Sequence, residues 1–349
     1  MQWIRGETIG CGSTSTVSLA IPKKGSDHQC LPMMAVKSCS VWDSSLVENE
    51  KEILDELGSC PYIIKSFGDC CSFENGVRFY NLLLEYASGG SLANRVKQAG
   101  GFLPESDVKR YTNSILKGLR HIHANGFAHC DIKLHNLLLL GDDEVKIADF
   151  GLARRTGQKQ SRAEIRGTPL YMSPESVNDN EYGTAGDIWA LGCAVVEMFT
   201  GKPAWNCKPE TNVMALLIRI GVGDELPTIP VEMSELGKDF LSKCFVKDPR
   251  KRWSAEMLLE HPFVCTTTND HSVVSLKPRQ RSCSSSPTGP FDFPDWVCGQ
   301  PSPTTSESWS IRAVESRFGS LTSPADRVRR LASDQTCNWS RSVSWVNVR

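Results

Sequence analysis

The sequence has no hydrophobic run long enough to cross a membrane. The longest, residues 188–196, is about half of a bilayer-spanning helix, so no membrane insertion is expected. Residues 1–10 carry no apolar segment ahead of a small-residue cleavage site, which argues against a secretory leader and for an intracellular protein of cytoplasm or nucleus. Neither sign of charge is in excess. With 39 Lys and Arg against 40 Asp and Glu the net charge is -1, so bulk electrostatics offers no pull toward nucleic acid or an anionic membrane surface. Metal-ligand spacing is missing as well: the 14 cysteines are scattered, and Cys70-Cys71 is an adjacent pair rather than a C-x-x-C. No cysteine-bound metal follows, and in a reducing compartment most of these thiols are expected to be small buried hydrophobes.

What is present suffices for a substantial core: 40% of residues are hydrophobic and 23% charged. At 349 residues the chain exceeds one average domain, and its composition shifts near Cys265. Beyond that point Ser, Thr and Pro make up more than a third of the residues, a mixture that cannot bury enough apolar surface to offset its ordering entropy. Residues 265–349 therefore read as a disordered regulatory tail. Before it, residues 3–86 alternate like strands around one helical stretch at 46–57, whereas 104–264 are mostly helical by period. The helix of the second part is opened by Pro104 and continues through Tyr111, Ile115, Leu119 and Ile122. Strands first and helices later indicate an α+β protein of two lobes, with a ligand cleft between them.

Three motifs carry chemistry. In Ile9-Gly10-Cys11-Gly12-Ser13-Thr14-Ser15-Thr16-Val17, two glycines let backbone N–H groups approach phosphate oxygens without an intervening Cβ. Alone, the motif describes a small-residue β-turn equally well, and Ser15 stands where a third glycine would complete it. Lys37, ending the apolar strand Met34-Ala35-Val36-Lys37, is either a solvated edge residue or a point charge aimed at phosphates. The second role needs a carboxylate, and Glu50, within one turn of Ile53 and Leu54, is the best placed. The third motif is His129-Cys130-Asp131-Ile132-Lys133-Leu134-His135-Asn136, followed by Asp149-Phe150-Gly151. Either half could be a surface ion pair or a turn; both, in this order and behind the other two motifs, are not a coincidence.

With these residues the sequence resembles the eukaryotic protein kinase family over residues 3–264. The resemblance implies a two-lobed protein kinase fold, with a small β-rich lobe at 3–86 and a larger helical lobe at 87–264. It implies ATP and Mg²⁺ as cofactors and a Ser/Thr phosphotransfer activity. By the same resemblance Gly10 and Gly12 cover the phosphates, and Lys37, held by Glu50, contacts them. Asn136 and Asp149 hold the metal, Asp131 takes the substrate hydroxyl proton, and Lys133 steadies the transferring phosphoryl group. Ile9, Val17 and Ala35 enclose the adenine, with backbone groups of Glu85 and Ala87 on its edge. Glu175 of Gly167-Thr168-Pro169-Leu170-Tyr171-Met172-Ser173-Pro174-Glu175 is expected to pair with Arg252, and Asp187 to bond the loop around Asp131.

One position departs from the family pattern. Cys130 stands where the family commonly has an arginine that receives an activation-loop phosphate. The glycine turn, His129 through Asn136 and Gly167 through Glu175 further resemble the short MEKK-type mitogen-activated protein kinase kinase kinases of plants. The implied substrate and partner is then a MAP kinase kinase, in a stress or hormone signalling cascade. The alternatives are another Ste-type kinase, or a scaffold that binds without transferring phosphate. Scaffolds of that kind lack an equivalent of Lys37, Asp131 or Asp149, and all three are here. In the tail, Phe291-Asp292-Phe293-Pro294-Asp295-Trp296-Val297 is an aromatic island in polar sequence: either a dock for a regulatory partner or for the kinase domain itself, or equally well a chance hydrophobic cluster in a disordered chain. Arg329-Arg330-Leu331-Ala332-Ser333 and several Ser-Pro pairs resemble phosphorylation sites.

Overall fold

A computed structural model of the chain describes residues 3–12, 14–23, 33–141, 144–157, 166–206 and 212–265. The tail and its motifs lie outside the described residues. The first part is a five-stranded antiparallel sheet, in the order β1 (Trp3–Cys11), β2 (Thr16–Pro22), β3 (Met34–Ser40), β5 (Val77–Glu85), β4 (Ser66–Glu74). β3 is central, and six of its seven residues, Lys37 among them, are buried. Strand alternation therefore fades there, as expected for a strand covered on both faces.

Helix α1 (Ser45–Leu57) packs on this sheet through Val47, Glu50, Ile53, Leu54 and Leu57, one stripe at helical spacing. Glu50 is the one charged residue of that stripe, at 0% exposure. A carboxylate so placed costs several kcal/mol unless it is paired, roughly in the range for burying a polar group without a partner. Gly58 ends the helix at φ 66°, its N–H bonded to Leu54 O at 3.1 Å.

The second lobe is built on α3 (Glu105–Ala124) and α5 (Thr184–Thr200), surrounded by α2 (Leu92–Gln98), α4 (Pro174–Asn178), α6 (Val213–Gly221), α7 (Glu235–Cys244) and α8 (Ala255–Leu259). α5 is buried on nearly all sides, from Asp187 through Val196 and at Met198. It approaches the end of α7 so closely that a Cβ on Gly192 would lie 2.7 Å from the Phe245 ring. Between α3 and α4 run the short strands β6 (Phe127–Ala128), β7 (Leu137–Leu140), β8 (Glu144–Ile147) and β9 (Arg154–Arg155). Backbone bonds from Ile147 N–H to Tyr62 O and from Ile64 N–H to Ile147 O, both 2.9 Å, pin the α1–β4 connection onto the helical lobe.

The cysteine expectation needs correction. Nine cysteines are described, all free; Cys39, Cys193 and Cys244 are buried, while Cys11, Cys71 and Cys265 are exposed. Cys71 lies on β4, an edge strand, and Cys11 at the end of β1, the opposite edge, beside the glycine turn.

Candidate active site

The cleft between the lobes takes its roof from Ile9, Gly10, Val17 and Ala35 and its floor from Leu138 and Ala148. Its back wall is the connection Leu84, Glu85, Tyr86 and Ala87, and its inner end holds Lys37, Glu50, Asn136 and Asp149. Gly10 faces this space. Gly12 instead closes the β1–β2 hairpin, donating its N–H to Ser15 O at 2.8 Å, and is not among the residues lining the cleft. The Glu85 side chain turns away: its carboxylate binds Lys146 Nζ at 2.8 Å and accepts from Lys65 N–H at 3.2 Å. What Glu85 can offer the cleft is backbone.

At the inner end Lys37 Nζ lies 2.5 Å from Glu50 Oε2 and 2.7 Å from Asp149 Oδ1. Burial alone would pull the ammonium's pKa down, but the two carboxylates outweigh it and hold the pKa above its ordinary value. Lys37 is therefore a fixed positive charge. Glu50 Oε1 also accepts from Phe150 N–H at 3.2 Å, so one carboxylate joins α1, β3 and the Asp149-Phe150-Gly151 turn. Asp149 adopts φ 67°, ψ 71°, a left-handed conformation that aspartate tolerates better than most residues. Phe150 is fully buried, its ring edge-on to His129 at 4.8 Å between centroids. Asn49, which sequence reasoning missed, completes the brace. Its amide donates to Gly151 O at 3.1 Å and Ala153 O at 3.0 Å.

The other half of the site surrounds Asp131. Its Oδ2 is 2.8 Å from Lys133 Nζ and 3.0 Å from Asn136 Nδ2, and its Oδ1 accepts from Thr168 Oγ1 at 2.8 Å. Lys133 Nζ donates to the same Thr168 oxygen at 3.1 Å. Asp187 fixes the loop below: it accepts from the N–H groups of His129 at 2.8 Å and Cys130 at 2.9 Å, and from His123 Nε2 at 2.8 Å. This bonding holds Cys130 at φ 66°. Burial, reinforced by the Asp187 charge, pushes the Cys130 thiol well above its ordinary pKa, so it is neither a cation nor a reactive thiolate. His135, also missed from sequence, lines the cleft beside Asn136. Burial and then Lys133 lower its pKa to about 4, so its imidazole is neutral.

The residues present fit a divalent cation. Asn136 Nδ2 is bonded to Asp131, while Asn136 Oδ1 is buried with no donor of its own. That acceptor and the Asp149 carboxylate are oxygen ligands of the kind Mg²⁺ takes, a cation that keeps several of its waters. Among the described residues there is no group of three or more His, Cys, Asp or Glu that could hold a metal by themselves.

Two carboxylates brace the helical lobe, Glu175 buried and Glu197 half-buried. Glu175 receives both guanidinium arms of Arg252, at 2.7 and 3.0 Å, and Arg252 lies over the Trp189 ring at 5.1 Å. Glu197 of α5 accepts from the Tyr171 hydroxyl, and burial raises its pKa from 4.5 to about 7. In the fold this carboxyl keeps its proton up to about pH 7, whereas the unfolded chain releases it near 4.5. Its contribution to stability is thus complete below the lower value and is lost as pH rises through the higher one. Glu197→Gln should remove that component. Urea unfolding at several pH values across this window would show a flatter profile for the variant, and identical profiles would refute the assignment.

Comparison with known proteins agrees with this geometry. Residues 3–264 match the protein kinase domain. Mitogen-activated protein kinase kinase kinase 20 of Arabidopsis thaliana is 54% identical over 360 residues, covering 100% of both chains. Mitogen-activated protein kinase kinase kinase 18 of the same plant is 42% identical over 270 residues, covering 76% of this chain and 78% of its own. Kinase kinase kinase 17 is 40% identical over 298 residues, covering 85% and 77% respectively. The chain belongs to the protein kinase family and is a serine/threonine protein kinase.

Proposed function

We propose that this kinase acts at the top of a three-tier cascade, transferring the γ-phosphoryl group of ATP to Ser or Thr of a MAP kinase kinase. The observation that carries the chemistry is the closed triangle of Asp131, Lys133 and Thr168, tied through Asn136 to the inner end of the cleft. The names of the three plant relatives support the place in the cascade. Asp131 orients the incoming hydroxyl and accepts its proton as the oxygen bonds to phosphorus and ADP leaves. Lys133 offsets charge on the phosphoryl oxygens, and Lys37, held by Glu50 and Asp149, fixes the remaining phosphates. Asn136 and Asp149 would hold Mg²⁺, which when bound neutralises phosphate charge. The experiment is phosphorylation from Mg²⁺-ATP of a panel of catalytically dead MAP kinase kinases. Transfer to one or more on activation-loop Ser or Thr supports the reading; transfer to none of them, with a generic protein still phosphorylated, refutes the cascade assignment alone.

Lys37→Met should lower the rate by at least about 10²-fold, a typical scale for losing a group that stabilises transition-state charge. Glu50, left buried without its cation, should also loosen α1. A variant turning over near the parent rate would show that phosphates are held elsewhere.

The contacts that assemble the site are made between unmodified side chains and backbone. Lys37–Glu50, Glu50–Phe150, Asn49 and the Asp131 triangle are all closed. Cys130 offers no cation to a loop phosphate; Arg154 and Arg155 are the cations that could pair with one, and Arg155 makes an exposed ion pair with Glu56. Thr156 is exposed and donates its hydroxyl to Gly126 O at 3.2 Å; Ser161 lies outside the described residues. Unphosphorylated enzyme should therefore be active from its first turnover, and Thr156→Ala and Ser161→Ala should each change the rate less than about fivefold. A lag in phosphatase-treated enzyme that pre-phosphorylation shortens would contradict this.

A further inference from the structure

A groove of about 840 Å³ lies on the helical lobe and shares no lining residue with the cleft; it is walled by Phe102, Phe199, Pro203, Trp205 and Val231, with Lys202 and Glu232 also lining it. Phe102 is 60% and Val231 77% exposed, so two large apolar side chains face solvent at its mouth. Trp205 is 2% exposed, and its buried indole N–H finds no acceptor among the described residues.

We propose that this groove is the docking site of the chain's own residues 291–297, the aromatic island of the tail. The exit point of the chain supports that occupant. Val264 O accepts from Asn113 at 3.1 Å, and Phe263 packs on Phe240 at 5.1 Å beneath the ammonium of Lys109. One turn earlier in α3, Glu105 binds Lys109 at 3.0 Å and accepts from Ser234 Oγ at 2.6 Å. Ser234 follows the groove wall at Val231, and Pro104, another lining residue, precedes Glu105. Exit and groove thus share the junction of α3 with α7.

The connector from residue 266 to 290 can span about 28 Å as a random coil and about 85 Å when extended, several times the roughly 10 Å between packed helices. Tethering at that length gives an effective concentration on the order of millimolar, so even weak docking is populated. The chemistry also matches. Phe291, Phe293 and Trp296 supply apolar rings for the apolar walls, and the match rests on these rings; Asp292 and Asp295 suit Lys202, a pairing that the fit does not require.

The test uses the full chain with a photoreactive benzoylphenylalanine replacing Phe293. Irradiation of monomeric protein should link this position to residues 199–205 or 228–232 of the same chain. Val231→Asp in the groove should lower the yield about fivefold or more without moving the melting transition. Trp296→Ser, outside the described residues, should do the same. Photoproducts on another surface, links between two chains, links made only to an added protein, or a yield indifferent to both substitutions would each overturn the proposal.

Discussion

An Asp131→Asn variant should bind nucleotide as the parent does yet transfer phosphate at least about 10²-fold more slowly, the common scale for a positioned acid–base group. The substitution nearly preserves volume, so the loss is chemical. An amide cannot take the hydroxyl proton. Its NH₂ would also face either the Lys133 ammonium and the Asn136 amide, both donors, or the Thr168 hydroxyl. Nucleotide titration separates binding from transfer, because the Lys37–Glu50–Asp149 cluster does not involve Asp131. A variant that phosphorylates near the parent rate would remove Asp131 from the mechanism.

Arg252→Ala should cost about 3–5 kcal/mol of stability, the price typical of stranding one partner of a buried ion pair. Glu175 would keep its burial and lose both bonds, and the carbonyls of Ala185 and Val246 would each lose a donor. The comparison is Lys51→Ala, whose partner Asp55 is 57% exposed; that change should stay within about 1 kcal/mol. Urea unfolding measures both. Adding Glu175→Gln to Arg252→Ala should recover part of the loss, since the two residues act as one unit.

The fold was legible in the sequence, and so was the set of residues that the structure brings together, because their spacing is local or their motif short. Glu50 could be paired with Lys37 because it interrupts an apolar stripe of period 3.6, a carboxylate on the buried face of α1. Asp131, Lys133 and Asn136 lie within six positions of one another, and the Glu175–Arg252 and Asp187 contacts expected from the resemblance are made. What stayed hidden depends on distance along the chain. Asn49 reaches carbonyls more than a hundred residues away, and nothing in Glu48-Asn49-Glu50 marks it. The Tyr171–Glu197 bond joins a loop to an otherwise apolar helix, where a lone glutamate near the end reads as a solvated tip. Gly12 was placed over the phosphates by motif, whereas the hairpin uses its N–H to close the turn.

The polar ties named above fall into two sets that differ in which lobe owns them. Asp131, Lys133, Thr168 and Asp187 all belong to the helical lobe, so domain opening leaves them in place. Lys37–Asp149, Glu50–Phe150 and Asn49–Gly151 cross from the sheet lobe and must stretch when the cleft opens to shed ADP. Turnover can therefore be limited by two separable events, and α1 governs the second. Asn49→Ala should accelerate ADP release while the single-turnover phosphoryl-transfer rate changes little, raising steady-state flux wherever product departure is slowest. Natural variation along α1 would then tune how long each enzyme molecule stays occupied between phosphorylation events, and with it the gain of the signal it passes on.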